Sequence, residues 1–328
     1  MDWTRILTTV SAEIIAPTTA AYALAAIGLN IHFGLTGLLN FGQAGFMLVG
    51  AYAFAISTIA GWPLWAAVLA ALASAVAFAL VLGVPTLRLR GDYLAIVTIA
   101  AAEIVRLVGR STSMTSITGG NAGLAGDSFK ETFQGASPFP DGSMTIGPWT
   151  YSVNLSDSWW LRLVGWCLVG LACLLVWRWL RSPWGRLLKG VREDEDAVRS
   201  LGKNVYSLKM QALVLGGCFG AVAGIVFVLP RAVQADSIGR PVTFYIWTIL
   251  LLGGAATVFG PVLGSILLWT TLMLIKSVMR EVIPTSVMRT EQIETFGFMV
   301  VGLTLMLLVV FRPQGILGDK KELAINVQ

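Results

Sequence analysis

Charge is scarce in this chain. Asp, Glu, Lys and Arg make up 12% of its 328 residues, about half the share of a typical soluble domain. Too many segments are apolar all round for these to be the helices of one large soluble core. The single histidine, His32, excludes a histidine cluster. The three cysteines, Cys167, Cys173 and Cys218, lie in apolar runs with neither metal-ligand spacing nor a disulfide pattern. They read as small buried hydrophobes, and no metal is expected. No series of intramembrane carboxylates and histidines is present, which leaves a proton-coupled carrier little to work with. A cleaved signal peptide is not expected either, because the first apolar run lacks a strong basic flank and is long enough to span.

Apolar residues dominate instead. They form 56% of the chain, and the mean hydropathy is +0.76. Nine hydrophobic segments are read, at 12–32, 38–60, 64–84, 93–110, 159–179, 209–230, 243–260, 262–279 and 293–311. Several reach the roughly 18–20 residues that cross a bilayer core about 30 Å thick. The expected fold is all-α, a polytopic transmembrane helical protein with about nine (eight to ten) membrane segments in one domain, 1–328. The second and seventh segments are rich in Gly and are expected to be broken or partly re-entrant. Gly260-Pro261 reads as a turn signal between two apolar runs, or as a kink inside one long segment.

Net charge is +5. The basic residues cluster at the ends of apolar segments, so they report membrane orientation rather than nucleic-acid binding. The densest cluster, 178–209, is placed in the cytoplasm. Nine alternating spans then put Arg88, Arg90, Arg312, Lys320 and Lys321 on the same side, with the N-terminus and loop 111–158 outside. Lys276, Arg280 and Arg289 fit this alternation least well, since it turns them outward.

The stretch "GLLNFGQAGFMLVGAY" (37–52) sets carboxamides in an apolar run. Asn40 and Gln43 lie one helical turn apart, among Gly42 and Gly45. Glycine-interrupted spans point to translocation sites, and carboxamides offer both donors and acceptors to a zwitterion. The same residues could equally cap a broken helix or hold two helices together. Glu103 and Arg106 are spaced to pair on one helix face, either as an anchor or as part of a solute path. Gly216, Gly220 and Gly224, and again Gly260 and Gly264, recur at four-residue spacing, which suits close helix packing within this chain or against a partner. Between the spans, the cytoplasmic loop 180–208 reads as one short surface helix, 186–201, ended by Gly202 and Asn204. It is suited to dock into a groove of another protein.

Here a resemblance becomes specific. "REDEDAVRSLGKN" resembles the cytoplasmic coupling loop of bacterial ABC importer permeases, in particular the branched-chain amino acid permeases of the LivH/LivM type. The matching positions are Arg192, Glu195, Ala197, Leu201, Gly202 and Asn204, with Glu193 beside them. "GLTGLLNFGQAGFMLVGAY", "LRGDYLAIVTIAAAEIVR", and "LLLGGAATVFGPVLGSILL" followed by "FRPQGILG" resemble further stretches of that family. Together they cover about 30–318, and the third favours the LivM type. Asn40 and Ala256 depart from the family, where Ser and Gly are common, and Gly202 falls one position late for the older importer pattern.

The resemblance implies a membrane-embedded permease subunit of the bacterial inner membrane, working with a second homologous permease, two ATPase subunits and an extracytoplasmic binding protein. No cofactor is expected in this chain, since ATP is bound by the partner subunits. The only Gly-Lys pair, Gly202-Lys203, has Ala197 where the leading glycine of a phosphate-binding loop belongs. The chain is therefore expected not to be an enzyme. Substrates within the family include branched-chain amino acids, with urea or short-chain amides as the alternative. A self-contained ion-coupled carrier is the alternative of another class.

Overall fold

The computed structural model describes residues 3–88, 91–154, 158–282, 290–311 and 314–318. It is helical apart from one short hairpin. The first half contains α1 (Trp3–Ile14), α2 (Pro17–Leu29), α3 (Gln43–Ile59), α4 (Leu64–Thr86) and α5 (Gly91–Arg110). Two short helices follow, α6 (Thr115–Thr118) and α7 (Asp127–Gln134), then an antiparallel hairpin of β1 (Ser143–Ile146) and β2 (Trp149–Ser152). The second half contains α8 (Trp159–Leu180), α9 (Pro183–Glu193), α10 (Glu195–Ser200), α11 (Val205–Val228), α12 (Arg240–Gly253), α13 (Gly260–Val282) and α14 (Thr290–Phe311).

Each of the nine apolar segments falls on a helix. Among the described residues, five helical stretches are long and apolar enough to cross a bilayer: Trp3–Leu35, Leu64–Thr86, Trp159–Leu180, Val205–Val228 and Gly260–Val282. Gln43–Ile59 and Thr295–Leu308 are apolar but shorter. With 14 residues, α12 is about 21 Å long and falls short of the ~30 Å hydrocarbon core.

The helix starts follow local chemistry. Pro17 opens α2 after the extended Ala16, where its missing N–H costs nothing. Ser158 and Ser182 cap α8 and α9 through their hydroxyls. Four boundaries differ from the sequence reading. Residues 37–42 are non-helical, and α3 starts only at Gln43. The second break is 254–259, so Gly260-Pro261 opens a helix instead of ending one. The 186–201 helix is two helices, because Asp194 leaves the helical conformation to cap α10 at the N–H groups of Asp196 (2.9 Å) and Ala197 (3.0 Å). Gly202 takes the expected left-handed conformation (φ 74°), but Asn204 caps the following helix, α11, at Ser207. Loop 111–158 also carries α6, α7 and the hairpin, with Trp149 donating to the Thr8 carbonyl of α1.

At the centre, α11 packs against α2, α3 and α4. Its glycines make this possible. A Cβ on Gly216 would strike the Gly28 carbonyl and the His32 ring, one on Gly220 would strike Gln43 and Phe46 at 2.9 Å, and one on Gly224 would strike the Met47 backbone. Gly264 meets the backbone of α12 in the same way, and Gly260 closes against Gly253 and Gly254. These small residues therefore pack helices within the chain, as close approach requires. On α4 a stripe of Ala67, Ala71, Ala75 and Ala79 is fully buried.

The connections sort to two ends. At one, Arg231 bonds Thr18 (3.0 Å), Leu124 bridges Val233, and Arg5 shares a cleft with Ser277, Arg280 and Glu281. At the other, Arg192 reaches Gly34, and Gly37 shares a cleft with Arg88, Glu195 and Tyr206. Arg280 thus lies at the same end as Arg5. Arg90, Arg289, Arg312, Lys320 and Lys321 lie outside the described residues.

Candidate functional site

The first break begins where α2 widens into a π-helical turn, Asn30–Leu35. Such turns recur at functional sites. The turn carries His32, and the chain then doubles back through 36–42. His32, Asn40 and Gln43 are all 0% exposed. The His32 Nε2 faces the Leu213 carbonyl at 3.1 Å, so it must carry the proton. Nδ1 is then an acceptor, and Asn40 donates to it at 2.9 Å. Asn40 Nδ2 also meets Gln43 Oε1 (3.2 Å), while its Oδ1 accepts from Gly42 N (2.7 Å). Gln43 Nε2 donates to the carbonyls of Ala25 (3.3 Å) and Gly216 (3.2 Å). Each carboxamide is thereby satisfied within the chain, as burial demands. Gly42 and Gly45 sit against α5: a Cβ on Gly42 would meet the Thr98 carbonyl at 2.5 Å, and one on Gly45 would meet Ala102 at 3.0 Å.

Asn30, which the sequence reading passed over, braces the second break. Its Nδ2 donates to the Thr257 carbonyl (2.7 Å) and its Oδ1 accepts from Ala256 N (2.8 Å). Ala256 is left-handed (φ 65°), a conformation that suits glycine and costs another residue about 1–2 kcal/mol. That explains why glycine would be the ordinary occupant there. The carbonyls at the end of α12 are met by residues 314–318: Ile316 N donates to Leu252 O and Leu317 N to Gly253 O, both at 3.0 Å. The Gly-rich stretch and "QGILG" are therefore two halves of one contact, which their distance in sequence hid.

On the surface, α9 and α10 form a bent pair whose side chains divide by direction. Arg192 turns inward and donates to the Gly34 carbonyl at 2.6 Å, against Gly37, and Glu193 holds it at 2.7 Å. Glu195 pairs with Lys209 at the base of α11. Asp196, Ala197 and Leu201 point outward, and Leu201 is 75% exposed. Arg192 thus ties this surface element to the π-turn of the first break.

Near the opposite end, Glu103 receives Arg106 through Nε (3.1 Å) and Nη2 (2.6 Å). Arg106 also pairs with Asp236, which Arg110 approaches at 3.5 Å, and Arg240 Nε lies 3.4 Å from Glu103. Beside this cluster lies a cavity of about 250 Å³ between α5, α12 and the start of α3. Phe41 forms part of it and stacks on Trp247 (4.6 Å between centroids, 18°). Trp247 donates to the Asn40 carbonyl at 3.2 Å. Among the described residues no group of His, Cys, Asp and Glu could hold a metal ion.

Residues 11–310 match the family model described as branched-chain amino acid transport system / permease component. Over 313 residues the chain is 34% identical to the high-affinity branched-chain amino acid transport system permease protein LivM of Salmonella typhimurium, covering 92% of this chain and 69% of that one. It is 24% identical over 336 residues to the probable LivM of Methanocaldococcus jannaschii, covering 91% of each. Its identity to LivH of Escherichia coli is 26% over 308 residues, covering 91% of this chain and 92% of that one. With its apolar helices, two broken segments and bent surface pair, this multi-pass membrane protein belongs to the family of branched-chain amino acid transport system permease components, on the LivM side of it.

Proposed function

We propose that this chain is one of two permease subunits of an ABC importer that carries branched-chain amino acids across the inner membrane. ATP is hydrolysed in two separate ATPase subunits, and a binding protein delivers solute on the side of 111–158. This chain supplies the path and no ATPase site of its own. The observation that carries the reading is the two-sided α9–α10 pair. A large apolar side chain left 75% exposed at Leu201 suits a protein groove, since apolar area gains by leaving water. The inward face, Arg192 on Gly34 and Glu195 on Lys209, suits transmission of a push to α11 and to the π-turn. Gly202 allows the reversal between α10 and α11.

The test is Leu201→Asp in the co-expressed complex. The substitution is expected to release the ATPase subunits during purification while the two permeases stay together. Undiminished co-purification of the ATPases, with wild-type leucine uptake, would remove the docking role. For the path, the reading assigns Asn40, Gly42, Gln43 and Gly45 to shaping the broken segment and Glu103 to the solute-facing side.

A further inference from the structure

The cavity beside Glu103 joins an apolar lining to a charged rim. Its apolar walls are Phe41, Ala44, Ile99 and Phe244. Phe244 is 47% exposed and Ile99 36%, so neither is a sealed core residue. One rim carries Glu103, Arg106 and Arg240. Glu103 and Arg106 are held rigidly by their paired bonds. Arg240 is different: its side chain is 67% exposed, and it approaches Glu103 through Nε alone, at 3.4 Å. Among the described contacts its two terminal nitrogens are uncommitted, the geometry that accepts a carboxylate in two parallel bonds. A carboxylate and an incompletely paired guanidinium side by side on the rim of an apolar hollow complement one class of small molecule, an amino acid zwitterion with an aliphatic side chain. A volume of about 250 Å³ lies below the range that holds drug-sized ligands and suits a single small solute.

We infer that this cavity is a substrate station on the outer half of the path: Arg240 receives the carboxylate, Glu103 the ammonium group, and Ile99 and Phe244 the aliphatic side chain. The inference rests on the proposed function and adds the site and the residues that select. Phe41 is its floor. It belongs to the break at 37–42, which Arg192 reaches from the far end through Gly34 and Gly37. The floor and the coupling pair are thus joined through one short stretch of chain.

The test uses the whole complex, with its partner permease, ATPases and binding protein, in proteoliposomes supplied with ATP. Uptake of leucine, valine and urea is followed for the wild type, Ile99→Trp, Phe244→Ala, Arg240→Gln and Arg240→Lys. Ile99→Trp fills the hollow and should lower kcat/KM for leucine about tenfold more than for valine, the scale of one methylene in a pocket. Phe244→Ala should shift the same ratio the other way, with an unchanged melt in detergent separating this from a folding defect. Arg240→Gln should raise the leucine KM with kcat kept, and Arg240→Lys should recover part of the loss. Leucine-to-valine ratios and KM values that stay at wild type in all four variants, with leucine uptake intact, would overturn the station alone. A wild-type complex that carries urea and no leucine would overturn the functional reading, and the station with it.

Discussion

Asn40 and Gln43 were conspicuous as carboxamides in an apolar run, and the structure uses both inside the chain. Their partners explain why sequence could raise the question and not answer it. The His32 ring lies eight positions back across a π-turn, and the Leu213 and Gly216 carbonyls belong to a helix more than 160 residues later. Gln43→Leu would leave two buried carbonyls and the Asn40 amide short of a partner. We expect it to destabilise the chain by about 1–3 kcal/mol, seen as a lower unfolding temperature in detergent. Loss of leucine uptake with an unchanged melt would instead show that Gln43 acts on solute. Gly224 was legible as a packing residue, because spacing alone puts it on the face of Gly216 and Gly220. Gly224→Val would press on the Met47 backbone and is expected to cost about 1–3 kcal/mol, readable in the same melt. Asn30 gave no such signal: a lone Asn in an apolar segment has no periodicity, and its partners, Ala256 and Thr257, are some 226 positions away.

Among the elements, each of the nine apolar runs read from composition overlaps a helix, but the first run starts nine residues after its helix does and the seventh ends seven residues past Gly253. Composition failed at the breaks, where backbone geometry decides. Asp194 reads as one more charged residue within a helical stretch, yet its extended backbone ends one helix and its side chain starts the next. The bend so made separates the inward Arg192 from the outward Leu201. Arg192→Ala removes the 2.6 Å bond to Gly34 and leaves the outer face intact. The assembled complex should therefore still hydrolyse ATP while leucine uptake per ATP falls severalfold. Uptake and hydrolysis that fall in step would mean that Arg192 serves folding or docking instead. The opposite phenotypes of Leu201→Asp and Arg192→Ala, lost assembly against lost coupling, would separate the two faces of one element.

For the whole molecule, the connections sort to two ends, and the bias of Lys and Arg in the sequence assigns one of them to the cytoplasm, an orientation that can be tested directly. Exposed serines lie at both ends: Ser143 in the hairpin and Ser200 at the end of α10. In a chain with Cys167, Cys173 and Cys218 replaced, Ser143→Cys should react in intact cells with a membrane-impermeant maleimide, and Ser200→Cys only after lysis. The reverse pattern would invert the topology and move the proposed ATPase face to the wrong side. The charged rim of Glu103, Arg106 and Asp236 was half visible in advance. The i, i+3 pair was legible, but Asp236 and Arg240 come from beyond the hairpin and α11, and only the fold brings them together.

The strap at 314–318 has a consequence in time rather than in space. It supplies the donors that finish α12, a helix made some sixty residues earlier. A growing chain leaves the ribosome N-terminus first, so α12 must wait through the synthesis of α13 and α14 with Leu252 and Gly253 unanswered in or near lipid, where such groups are costly. The second break is therefore expected to close only after α14 and the strap that follows it have been made. Nascent chains stopped at Phe311 should therefore be inserted yet remain open to protease at 254–259, and chains stopped after Gly318 should be closed.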